Sequence, residues 1–117
     1  MSNEYFEALS KRLETFATDR DWDQFHAPKN LVMALSVEAA ELTEHFQWLT
    51  EEQSKNLNKD KLDEVAFEMA DIYIYLTRLA TKLEIDLPKY VEDKININEQ
   101  RYPVEKVQGS AKKYNEY

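Results

Sequence analysis

The chain has 117 residues, 43% of them hydrophobic and 32% charged, which fits one globular domain over residues 1–117 and excludes a disordered chain. Its net charge of −8, from 23 acidic and 15 basic residues, excludes a binder of nucleic-acid polymers, whose affinity rests on Lys and Arg against phosphates. The absence of cysteine excludes a disulfide framework and a thiolate metal site.

One Gly and three Pro are too few for a protein of many tight turns, so the balance leans to helices. The N-terminal MSNEYFEALSKRLETF lacks the apolar core of a signal peptide, and no apolar run approaches the ~18 residues of a membrane span. A cytoplasmic protein without a membrane partner is the expectation.

In chain order, the first helix is expected from about Asn3 to Thr18, with Phe6, Leu9, Leu13 and Phe16 at i, i+3, i+7 and i+10. A connector from Asp19 to Pro28 follows, rich in large residues for a loop: Trp22, Phe25 and His26. Pro28 suits a first-turn position, so the second helix is expected over Pro28–Trp48. Polar Thr50–Asp60 breaks the pattern, and a long third helix runs from about Lys61 to Leu83. Asp86-Leu87-Pro88 restarts a fourth helix that reaches roughly Arg101, and Tyr102–Tyr117 reads as an extended tail. The expected fold is all-α and four-helix-bundle-like.

At ~100° per residue, Leu31, Leu35, Leu42, Phe46 and Leu49 form one apolar stripe on the second helix. Glu38 projects within that stripe, and Glu41 and His45 lie along its edge. On the third helix the stripe is Leu62, Val65, Met69, Ile72, Leu76, Leu79 and Leu83, with Glu64, Glu68, Asp71 and Tyr75 in a row beside it. If the stripes pack antiparallel, Glu38, Glu41, Glu68 and Asp71 converge near one end of a shared core. Clustered carboxylates cannot all stay ionised without cations among them. Oxygen ligands with no Cys and little His suit hard cations, Mg²⁺ or Mn²⁺. The rival reading pairs these acids with Lys or Arg at a wet edge. A di-iron bundle is excluded because neither His stands in a Glu-x-x-His motif.

Trp48 lies two turns beyond Glu41 and Tyr75 one turn beyond Asp71, so both are candidates for stacking on a nucleobase. Trp22, Phe25 and His26 are placed to close the other side of such a pocket. Lys29 and Asn30, and Lys94, Asn98 and Arg101 on one face of the fourth helix, are candidate phosphate contacts. The third helix is also apolar on a second side, at Phe67, Ala70 and Ile74, which suggests a subunit interface or cover by other parts of the chain.

Three stretches carry a family resemblance: DWDQFHAPKNLVMALSVEAAELTEHFQWL, EVAFEMADIYIYL and KININEQRYPVEKVQGSAKKY. ExxE followed by FQW, ExxD followed by IYL, and RYP with GSAxKY make the chain resemble the MazG-like all-α NTP pyrophosphohydrolases, most closely their dCTP pyrophosphatase branch. The resemblance spans about Leu13 to Tyr114. It implies a helical bundle that forms a homodimer or homotetramer and cuts (d)NTPs, dCTP or related dNTPs above all, to monophosphate and pyrophosphate. It implies Mg²⁺ held by Glu38, Glu41, Glu68 and Asp71, which carry the catalysis. It implies a base pocket from Trp22, Asp23, Gln24, Phe25 and His26 with Trp48 and Tyr75, and triphosphate contacts from Lys29, Asn30, Lys94, Asn98 and Arg101. One departure is Leu13, where cytosine-specific relatives can carry a substrate-contacting His. The alternative expectation is a helical oligomer that binds nucleotides without cutting them.

Overall fold

The computed structural model describes residues 3–109, and every regular element among them is helical. The helices are α1 (Glu4–Asp19), α2 (Pro28–Glu44), α3 (Glu51–Ser54), α4 (Lys59–Lys82), α5 (Leu87–Arg101) and α6 (Val104–Val107). A single 3₁₀ turn, Asp23–Phe25, interrupts the connector between α1 and α2. The chain divides into two compact units, residues 1–85 and 86–117.

In the first unit α4 is the central element, with α1 and α2 packed against it. Its apolar core is thin: Ala17 from α1, Leu31 from α2, and Val65 and Ala80 from α4 are buried, with Thr77 and Arg78 beside them. Of the expected α4 stripe, Leu62, Met69, Leu76 and Leu83 stay exposed. Phe67 is 75% exposed on the second apolar side, whereas Ile74 turns half-buried toward α1. Two neighbours cover only part of a helix that is apolar over more than one stripe.

Local chemistry sets the helix ends. Pro28 opens α2 within its first turn, after extended Ala27. Asn58 caps α4 by accepting from the Lys61 amide at 2.9 Å, and Asp86 caps α5. The α1 and α4 ends use left-handed residues that are not glycine: Asp21 (φ 56°) and Glu84 (φ 55°). Both close paired end-capping bonds, Trp22 N–H to Ala17 C=O with Asp21 to Thr18, and Ile85 to Ala80 with Glu84 to Thr81. The ring of Trp22 then packs edge-on against Phe16, with centroids 5.7 Å apart, the apolar contact that accompanies this cap.

Three boundaries differ from the sequence expectation. The second helix ends at Glu44, because residues 45–49 tighten into turns bonded to Leu42, Thr43 and Phe46 before extended Thr50. Within the polar stretch Thr50 and Gln53 form a reciprocal capping box that opens α3. In the expected tail, extended Pro103 starts the single turn of α6, whose Lys106 and Val107 amides bond the Pro103 carbonyl. Residues 110–117, with most of the GSAKKY segment, lie outside the described residues.

Candidate active site

Glu38 and Glu41 stand one turn apart on α2, and Glu68 faces them from antiparallel α4. One carboxylate oxygen from each lies within 4.8 Å of the others. Glu38 Oε2 and Glu68 Oε2 are buried with no hydrogen-bond partner among the described residues. The Glu38 carboxyl is pushed up to about 7: in its protonated form it donates to Glu68, burial disfavours its charge, and Glu41 adds both a hydrogen bond and repulsion. Glu68 is also held above the ordinary range. Its bond from Glu38 pulls down, but burial, Glu41 and the charge of Asp71 push further up.

One turn away the electrostatics are ordinary. Glu64 meets Lys61 at 3.5 Å and faces His45 at 4.0 Å, and Lys61 Nζ donates to His45 Nδ1 at 3.1 Å. Pairing with cations therefore describes Glu64 and not the cluster. Three converging hard-oxygen donors, two of them with orphaned buried oxygens, fit a divalent cation of the Mg²⁺ or Mn²⁺ kind.

Asp71 is exposed one turn from Glu68, near enough for its charge to act on that carboxyl, but is not among the three carboxylates that lie within 4.8 Å of one another. It lines a cavity of about 310 Å³ between α1, the connector and α4, with Leu13, Phe16, Trp22, His26, Tyr75 and Arg78 among the other walls. The sequence reading thus placed Trp22, His26 and Tyr75 on a common pocket, and Leu13, the family departure, faces it too. Arg78 was missed. It is 3% exposed, and it donates from Nη2 to Asp23 at 3.0 Å and from Nε to His26 Nδ1 at 3.3 Å. A cationic residue three positions after Tyr75 and seven after Asp71, inside the apolar run IYIYLTRLATKL, was the available signal.

The other expected contacts are placed as follows. Asp23 is bound by Lys82 as well as Arg78, and these bonds hold its carboxyl below the ordinary range. Gln24 bonds back to Asp21, and the Asn30 amide donates to the Phe25 carbonyl, so both serve the connector. Phe25 is 60% and Trp48 87% exposed, and neither lines the cavity. Lys29 is exposed on the first turn of α2. In the second unit Lys94 and Asn98 line a shallow α5 groove with Leu87, Tyr90, Val91 and Ile95, and Arg101 is exposed at the end of the helix.

Comparison with known proteins gives a consistent picture. Residues 33–117 match the model of the MazG-like family. The chain is 44% identical over 101 residues to dCTP pyrophosphatase 1 of Rattus norvegicus, covering 85% of this chain and 59% of the rat protein. It is 42% identical over 103 residues to dCTP pyrophosphatase 1 of Homo sapiens, covering 86% and 61% respectively. The chain thus spans about three-fifths of the length of these curated relatives. Its fold superposes on the crystal structure of a pyrophosphatase from Archaeoglobus fulgidus DSM 4304 with a TM-score of 0.81 and 36% identity, over 88% of this chain and 96% of that one.

Proposed function

Because the chain belongs to the MazG-like family, we propose that it is a nucleoside triphosphate pyrophosphohydrolase, with Mg²⁺ as its cation and dCTP or a related dNTP as its substrate. Water attacks the α-phosphorus, the bond to the β-phosphate breaks, and monophosphate and pyrophosphate are the products. The observation that carries this reading is the cluster of Glu38 and Glu41 from α2 with Glu68 from α4, in which Glu38 and Glu68 have orphaned buried oxygens, beside the α4 face that continues from Glu68 through Asp71 into the aromatic cavity.

A divalent cation held there would neutralise triphosphate oxygens and acidify water. Glu38, Glu41 and Glu68 would hold it, with Asp71 extending the set. Trp22 and Tyr75 offer ring faces to a base in the cavity. Leu13 on its wall fits a pocket without strict cytosine preference. The family match crosses the division between the two units, which supports a single functional domain. Self-assembly into a dimer or tetramer is part of the proposal: Phe67, Met69 and Tyr73 on α4 and Tyr90, Val91 and Ile95 on α5 are large, apolar and exposed. No helix among the described residues is long and apolar enough to cross a membrane, and a cytoplasmic nucleotide pool suits the substrate.

The test is incubation with Mg²⁺ and a panel of canonical and modified (d)NTPs, with products resolved by ion exchange. Monophosphate plus pyrophosphate is expected, and Glu41→Ala and Asp71→Ala lose at least a hundredfold in turnover. Wild-type rates in either variant would sink the site assignment. Binding without product would leave a nucleotide sensor.

A further inference from the structure

Arg78 is buried, charged and incompletely used. Of its guanidinium nitrogens, Nε and Nη2 are bonded to His26 and Asp23. Nη1 is also buried, yet it meets no hydrogen-bond acceptor among the described residues. Arg78 lines the cavity that Trp22, Tyr75 and Asp71 also line. Leaving a charged donor unpaired in a buried site is costly, and natural proteins rarely do so without a use.

What the free donor would meet follows from its surroundings. The walls are mostly apolar or aromatic, from Leu13, Phe16, Ala17, Trp22, Ile74 and Tyr75, which suits a flat ring. A phosphate is disfavoured, because Asp71 lines the same cavity and Asp23 already pairs with the guanidinium. A neutral acceptor on a heterocycle answers both conditions. His26 adds to this: Nδ1 accepts from Arg78, which leaves the hydrogen on Nε2, and burial and the Arg78 charge hold the ring neutral.

The position along α4 agrees. Glu68, Asp71, Tyr75 and Arg78 stand at i, i+3, i+7 and i+10, one face of the helix. At 1.5 Å per residue the Glu68 and Arg78 backbones are about 15 Å apart along the axis. Side chains lean toward the helix N-terminus, so the arginine reaches back toward Tyr75. The ends of this row suit the two ends of a nucleotide.

We propose that Arg78 is a base-selecting residue, whose Nη1 donates to a carbonyl oxygen on a nucleobase bound in the cavity, so that oxo bases are favoured over adenine. The inference rests on the pyrophosphohydrolase reading and specifies the substrate of the same site. A base that offers no carbonyl leaves the Nη1 hydrogens without an acceptor, as they are among the described residues of the free protein, whereas an oxo base supplies one.

The test is calorimetric binding, with Mg²⁺, of the α,β-imido analogues of dCTP, dUTP, dGTP and dATP, and of inorganic tripolyphosphate. Wild type, Arg78→Met, Arg78→Lys and Asp23→Asn are compared, with melting temperature as the check of folding. Wild type is expected to bind at least one oxo analogue ten times more tightly than the dATP analogue. Arg78→Met loses about tenfold or more for that analogue and stays within twofold for tripolyphosphate. Asp23→Asn, which loosens the clamp but keeps Nη1, loses less. If Arg78→Met does not fold, Arg78→Lys, which keeps charge without the fork, carries the same comparison. Three results overturn the proposal: no preference for an oxo base in wild type, equal losses for analogue and tripolyphosphate, or an Asp23→Asn loss as large as that of Arg78→Met. A wild type that binds tripolyphosphate and nucleotides not at all overturns the pyrophosphohydrolase reading as well.

Discussion

Glu38→Gln separates the effect of the acidic cluster on folding from its proposed role in cation binding. The Glu38 carboxyl ionises at about 7 instead of 4.5, so the folded protein holds this proton more tightly than the unfolded chain does. The associated stability is fully present below 4.5 and is lost as pH rises through about 7. At about 1.4 kcal/mol per tenfold, the displacement sets an upper bound of roughly 3 kcal/mol. The side chain is only half-buried and water screens its neighbours, so about 1 kcal/mol is expected to survive. Without divalent cations, Glu38→Gln should therefore melt about 3–6 °C above wild type at pH 8 and level with it near pH 5. Mg²⁺ reverses the order. A cation at a hundred times its dissociation constant adds about 2.7 kcal/mol to wild type at pH 8, and the variant loses most of that gain. Differential scanning calorimetry at both pH values, with EDTA or with Mg²⁺, reads all four states. A variant no more stable than wild type at pH 8 in EDTA, or one stabilised by Mg²⁺ as strongly as wild type, refutes the reasoning.

Two further predictions concern the scaffold. Glu84 holds a left-handed conformation that costs an L-residue roughly 1 kcal/mol, of which glycine's larger entropy loss offsets about half, so Glu84→Gly should raise Tm by about 1–3 °C in thermal unfolding. Sedimentation velocity should show a dimer or tetramer, and Phe67→Asp, changing a side chain 75% exposed in the single chain, should shift the distribution toward monomer with little loss of helical signal. A wild-type protein that sediments as a monomer at micromolar concentration would show that the exposed apolar surface is not an interface.

Helix starts were legible because capping chemistry is local. Pro28 and the Asp86-Leu87-Pro88 sequence each mark a first turn, and α1 and α5 fall within a residue of their expected ranges at both ends. Helix α3 was not expected, since four residues carry no periodicity, although Thr50 and Gln53 spell its capping box. The end of α2 was overrun because Leu42, Phe46 and Leu49 keep an apolar spacing through turns as well as through helix. Periodicity also fails to say what covers a stripe. Leu62, Met69 and Leu76 have the spacing of a core face, yet α1 and α2 leave them exposed.

The convergence of Glu38, Glu41 and Glu68 could be read from spacing, because Glu38 and Glu41 share one face of their helix and Glu68 lies beside the apolar stripe of the next, whereas Asp71, the fourth expected member, is not among them. Spacing puts Arg78 on the face of Asp71 and Tyr75 but does not give its partners, because these are Asp23 and His26, which lie 55 and 52 positions earlier in the chain. Once these contacts are known, the α4 row has a single logic. At Glu68 it is short of positive charge, with buried carboxylate oxygens that lack donors. At Arg78 it is short of an acceptor, with a buried guanidinium nitrogen that lacks one. Neither deficit helps the chain to fold, since each leaves polar atoms buried without partners. A cation-bound nucleotide triphosphate supplies both complements at once, metal at its phosphate end and, on an oxo base, a carbonyl at the other. Adenine supplies only the first, which is why the preference for oxo bases tests whether the two ends of this row belong to one site.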